Sequence, residues 1–162
     1  MSVSLSSGYL TPKQRMIWGL KCTGNREVNI ARKLHVTRQT VHKAVFTANL
    51  RIGESLEEAA KLNRIDVESF DAAKGFLVGY SSHFKTRAFV TFSAQNGIQI
   101  WYKHQGHCEK CSRLQTCKET ILAEAKERNF PMPEDTDTVM PSQMADDLFS
   151  KLMGDVEKNG DT

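Results

Sequence analysis

No apolar run in the chain approaches the ~18 residues that a membrane-crossing helix needs. The longest candidates lie around residues 16–20 and 76–78, and no membrane association is expected. Residues 1–7 hold neither a basic stretch nor an apolar one, so no secretion signal is expected and the expected location is cytoplasmic. The chain also lacks a glycine-rich phosphate loop, a G-x-S-x-G elbow, an H-E-x-x-H pair and any evident pair of catalytic acids. Those absences argue against the common hydrolase and nucleotide-enzyme classes, and no enzymatic activity is expected. Cysteine is limited to four residues, which in a reducing compartment are expected to be thiols or metal ligands rather than disulfides. Acids are almost missing from the first third. Residues 1–53 hold nine Lys or Arg against the single acid Glu27, whereas residues 54–162 hold thirteen against eighteen acids. The net charge of +3 therefore conceals a basic first third joined to an acidic remainder. Such a split points to a polyanion-binding module attached to something else.

What remains is an ordinary globular composition, 40% hydrophobic and 25% charged over 162 residues. That length makes one medium domain or two small ones, with no internal repeat. Residues 1–9 read as a loose leader. Thr11-Pro12 opens a helix, with Met16, Ile17 and Leu20 on one face, and Gly24-Asn25 stops it. A second helix is expected over 26–34, with Val28, Ile30, Ala31 and Leu34 as its apolar set. His35-Val36 makes a tight corner, and Thr37 caps a third helix with Val41, Ala44 and Val45 inward. Gly53 is a possible break, after which 54–64 is helical again. Residues 66–79 read as weakly helical, with Phe70, Ala73, Leu77 and Val78 inward. Two β-prone runs, 89–92 and 98–102, flank Asn96-Gly97, a strong hairpin signal. A helix over 118–128, an acidic Pro-containing linker and an amphipathic helix opened by Pro141-Ser142 complete the reading. The expected fold class is α+β: an N-terminal all-α unit followed by a small module with a β-hairpin and helices. The expected divisions are 1–9, 10–64, 65–154 and a polar tail, 155–162.

The N-terminal pattern can be tested position by position. The small Ala31 stands where a third helix would cross the second. Ile30, Leu34 and Val36 fill the apolar places around it, and Val41 and Ala44 fill those of the third helix. His35 occupies a corner where glycine is usual, and histidine tolerates positive φ better than branched residues do. The run Leu10-Thr11-Pro12-Lys13-Gln14-Arg15, with Ile30-Ala31-Arg32-Lys33-Leu34-His35-Val36-Thr37-Arg38-Gln39-Thr40-Val41-His42-Lys43, resembles the helix-turn-helix of LuxR-type regulators and of region 4 of sigma factors. It covers residues 10–52. Val36-Thr37-Arg38-Gln39-Thr40-Val41 leading into an extended helix also resembles archaeal regulators of the Tfx type. These resemblances imply a sequence-specific DNA-binding transcription regulator whose third helix lies in the major groove of double-stranded DNA. Thr37, Arg38, Gln39, Thr40, His42 and Lys43 would then face the bases and adjoining phosphates, since Arg reads guanine and Gln reads adenine. Lys13, Arg15, Arg26, Arg32 and Lys33 would flank them as phosphate contacts. The resemblance also implies a homodimer, seamed along 50–62 or the last helix, although both stretches could equally pack inside the monomer.

A second cluster stands apart. Cys108, Cys111 and Cys117 form C-x2-C-x5-C, with His104 and His107 just before it and Cys22 far away. C-x2-C brings two sulfurs to one side of a turn, and Cys117 begins a helix, where amides favour a thiolate. Three Cys with His104 or His107 would make a zinc site. The same spacing resembles three ligands of the [4Fe–4S] loops of certain DNA glycosylases and nucleases, although Trp101 stands where the glycosylases have a fourth cysteine. Zinc and iron–sulfur both stay open, and the module that holds them would be structural or sensory. Two other functions stay in view: an adaptor contacting RNA polymerase or another protein through the acidic half, and an iron–sulfur or thiol enzyme acting on nucleic acid.

Overall fold

The computed structural model describes residues 10–103 and 107–160, with side chains as far as Gly154. The expected leader 1–9, His104 and the last two residues lie outside them.

Helix α1, Pro12–Cys22, starts on a reciprocal cap. Thr11 Oγ1 accepts from the Gln14 amide at 3.2 Å, and Gln14 Oε1 accepts from the Thr11 amide at 3.0 Å. Each satisfies a backbone donor that the first turn leaves free. Helix α2, Glu27–Leu34, ends on His35, which takes the left-handed conformation at φ 53° and ψ 43°. Thr37 caps helix α3, Arg38–Leu62, which runs 25 residues, roughly 37 Å. Ile17, Ile30, Ala31, Val41 and Val45 form the core of this trihelical head. Met16, expected on the inner face, is exposed. Gly53 does not break α3. It is buried beside Ala72 and Phe70, and the helical hydrogen bonds pass through it.

Four strands follow: β1 Ile65–Asp71, β2 Phe76–Ser81, β3 Thr86–Ser93 and β4 Gly97–Tyr102. They form one antiparallel meander in sequence order. The expected helix over 66–79 is thus corrected to β1, a turn and β2. The period-2 signal was blurred because helices cover both faces of the sheet. Phe76 and Val78 point into one core while Leu77 points into the other, so β2 reads as an unbroken apolar run. The β1–β2 turn needs Gly75, which has φ 60° and a position where a Cβ would lie 2.6 Å from the Phe92 carbonyl. The hairpin at Asn96-Gly97 forms as expected, with Gly97 at φ 69°.

A 3-10 turn, Cys108–Lys110, leads to helix α4, Leu114–Glu127, which begins four residues before the expected 118. Helix α5, Pro141–Gly160, continues beyond Gly154 into the stretch read as a tail. The molecule is α+β with three layers. Leu10, Trp18, Cys22 and the second half of α3 pack on one face of the sheet, against Leu77, Ala88, Val90 and Phe92. Helices α4 and α5 cover the other, against Phe76, Val78 and Phe89. Residues 10–64 therefore share a core with β2 and β3. No helix among the described residues is long and apolar enough to cross a membrane.

Arg128 and Glu124 form a buried ion pair that joins α4 to the sheet. All five guanidinium donors are used: on Glu124 twice, and on the carbonyls of Lys74, Gly75 and Phe92. Burial pushes the Glu124 carboxyl up, while Arg128 and a hydrogen bond from Thr91 pull it back. Glu127 ties the hairpin tip, accepting from the amides of Ala94 at 3.0 Å and Gln95 at 2.8 Å.

Candidate functional site

Two places carry chemistry. The first is the outer face of the trihelical head. The left-handed turn at His35 lets α3 leave α2 abruptly, and the Thr37 cap starts α3 with its first turns facing solvent. Arg38, Gln39, Thr40, His42 and Lys43 are all exposed there. Thr37 is also exposed, but its hydroxyl is engaged, accepting from the Thr40 amide at 3.1 Å and lying 2.8 Å from Thr40 Oγ1. Arg26 sits at the start of α2, and Arg32 and Lys33 lie exposed in its last turn. Lys13 is exposed on α1 and Arg15 is half-buried.

The structure gathers Arg26, Arg38 and His42 along one groove between α2 and α3, together with two residues the sequence reading did not single out. One is Lys21, a further cation. The other is Glu27, the lone acid of the basic third. Its carboxylate lies 3.2 Å from His42 Nδ1 and 3.9 Å from Arg38 Nε. Glu27 is half-buried while Arg38 and His42 stay 74% and 71% exposed. A half-buried carboxylate thus sits between two exposed basic side chains at the groove. Only its rarity in a basic stretch could have flagged it in the sequence.

The second place is a cavity between the far face of the sheet and the starts of α4 and α5. Cys108, Cys111 and Cys117 all line it. Phe89, Trp101, Leu114, Ile121 and Phe149 make most of its apolar wall, and Lys103 and Asp146 supply charge. Its volume is about 110 Å³. The 3-10 turn projects Cys108, whose thiol donates to Ser142 Oγ at 3.6 Å. Cys117 lies in the first turns of α4. Burial pushes its thiol up; Arg113 acts the other way, and the nearby Cys111 and Cys108 add to the rise. His107 precedes the turn and is exposed, and His104 lies outside the described residues. Among the described residues no three His, Cys, Asp or Glu side chains gather tightly enough to hold a single metal ion. Cys22 is in the other core, and burial pushes its thiol up to about 11.

The cavity wall also reaches the buried ion pair. Trp101 Nε1 donates to Thr91 Oγ1 at 3.2 Å, and that hydroxyl donates to Glu124 Oε1 at 2.9 Å. Compared with known proteins, the chain matches no family model, no curated protein and no solved structure.

Proposed function

We propose that the chain is a sequence-specific DNA-binding transcription regulator, with the first two turns of α3 set in the major groove. One observation carries this reading. A left-handed corner at His35 presents the start of a capped helix whose outward residues are Arg38, Gln39, Thr40, His42 and Lys43, on a head almost free of acid. Those side chains offer the bidentate donors and acceptors that base edges require. The surrounding cations offer the phosphate contacts that fix register. A head of this size spans a few base pairs, so the reading places two copies on one operator. Phe46 and Leu50, one turn apart on α3 and exposed, are apolar surface that such a pair would bury. In the same reading the C-terminal module is regulatory, with its thiols holding a metal.

The test is a set of titrations on duplex DNA selected from a random pool, at several salt concentrations. Gln39→Ala is expected to relax base preference at one position, at a cost of roughly 1–3 kcal/mol on the preferred site. Lys13→Ala is expected to weaken all sequences alike and to reduce the salt slope by about one. Equal, salt-only losses from both changes would remove base reading. Phe46 and Leu50 also favour a second reading, an adaptor that docks a protein such as RNA polymerase. In that case Arg38→Ala with Gln39→Ala leaves partner capture intact.

A further inference from the structure

We propose that the cavity between α4, α5 and the sheet holds a [4Fe–4S] cluster bound by Cys108, Cys111 and Cys117. This deepens the regulatory reading above and rests on it only for its purpose, since the cluster would bind whether or not the protein binds DNA. Three observations carry it. First, all three thiols line one cavity although they come from a 3-10 turn, the residue after it and a helix. Folding has thus brought together what the sequence spaces over ten residues.

Second, the cavity has room for more than one ion. A single zinc is wrapped by its four ligands, with sulfurs about 2.3 Å from the metal, and leaves no void. Here the three thiols line, with eleven other residues, a cavity of about 110 Å³. A water molecule needs only about 10–15 Å³ by the same measure, so the space takes a many-atom inorganic core.

Third, the walls suit a thiolate-bound cluster. Phe89, Trp101, Ile121 and Phe149 make one side of the cavity apolar, and exposure to solvent is one of the factors that set a cluster's potential. The cluster with three thiolates carries net negative charge. Lys103 on the cavity wall and Arg113 near Cys117 oppose it. The Ser142 hydroxyl beside Cys108 can turn its proton toward the sulfur once that sulfur is a thiolate. Asp146 also lines the cavity and would offer the fourth iron an oxygen donor. Cys22 is no ligand: it lies in the core on the opposite face of the sheet.

The experiment uses the full chain, purified without oxygen and incubated with ferric iron, sulfide and a thiol reductant that reduces part of the iron, then desalted. Expected are about four iron and four sulfide per chain and a broad thiolate-to-iron band in the visible. Cys111→Ser and Cys108→Ser are each expected to lose most of that band while keeping the wild-type circular dichroism. Cys22→Ser is expected to retain it. A colourless chain carrying one zinc overturns the cluster, and so does a chain that retains no iron and keeps all its thiols titratable. DNA titrations on the same samples separate the two proposals. Loss of DNA binding with iron retained removes the regulator reading, and the reverse result removes the cluster.

Discussion

At the scale of single residues, two carboxylates show how place decides role. Glu27 sits at the rim of the head, where its partners Arg38 and His42 are mostly in water. Exposed pairs of this kind contribute about 0–1 kcal/mol, so Glu27→Gln is expected to leave the denaturation midpoint nearly unchanged. Its effect belongs to binding. On the DNA-binding reading proposed above, removing the only acid of the basic third would strengthen contact with any duplex, and freeing Arg38 and His42 would cost alignment with bases. The expected outcome is several-fold tighter non-specific binding and a smaller ratio of specific to non-specific affinity. An unchanged ratio would show that Glu27 does not position the reading side chains. Glu124 is the opposite case, fully enclosed with Arg128. Taking away one member of a buried pair strands the other, which typically costs about 3–5 kcal/mol. Arg128→Met is expected to lose that much stability in urea unfolding, because four backbone carbonyls, those of Lys74, Gly75, Phe92 and Glu124, also lose a donor. A loss below about 1 kcal/mol would mean that water reaches the pair. Neither carboxylate's role was legible in the sequence. His42 stands fifteen residues from Glu27, and Arg128 answers carbonyls more than thirty residues away, which no local pattern records.

At the scale of elements, legibility followed the caps. Thr11-Pro12, Thr37 and Pro141 announce helix starts through short-range chemistry, and α1, α3 and α5 begin there. Ile17, Ile30, Ala31, Val41 and Val45 of the head were readable for a similar reason, since a helix repeats every 3.6 residues within one segment, although Met16 on the same predicted face is exposed. β1 and β2 were not readable. Apolar residues at 70, 73, 77 and 78 mimic a helical stripe, whereas in the sheet Phe70 is exposed and residues 77 and 78 enter separate cores. The cysteine spacing marked the thiol site, but the wall that gives it meaning comes from β3, β4 and α5. The corner at His35 yields an element-scale prediction. A left-handed non-glycine residue costs about 1–2 kcal/mol, and the His35 side chain is exposed. His35→Gly is expected to raise stability by about 1 kcal/mol, after the looser unfolded chain is counted, with DNA affinity unchanged. Thermal unfolding checks it, and a lower midpoint would mean that the imidazole holds the corner.

At the scale of the whole molecule, α3 decides whether the two halves act together. Its buried stripe runs Val41, Val45, Ala48, Ile52, Leu56 and Ala60 without a gap. The first two belong to the core of the head and the rest to the core on the sheet. Trp18 adds a second tie, meeting Phe92 edge-on with ring centroids 5.1 Å apart. The sheet in turn separates α3 from the thiol cavity by one layer. Val90 of β3 packs toward α3, while its neighbour Phe89 lines the cavity. A change at the cavity can reach the first turns of α3 only if these layers move as one body, so cooperativity is the property to measure. Ile52→Ala removes packing from the shared part of the stripe, and a buried change of this kind costs about 2–5 kcal/mol. Unfolding followed by tryptophan fluorescence, to which Trp18 and Trp101 both contribute, by helical circular dichroism and by exposure of the buried Cys22 thiol is expected to give one midpoint in the parent chain. In Ile52→Ala all three are expected to fall together. If the helical signal instead held while Cys22 became reactive, the head would fold by itself, α3 would act as a hinge at its middle, and no state of the cavity could be transmitted through this helix to the exposed residues of its first turns.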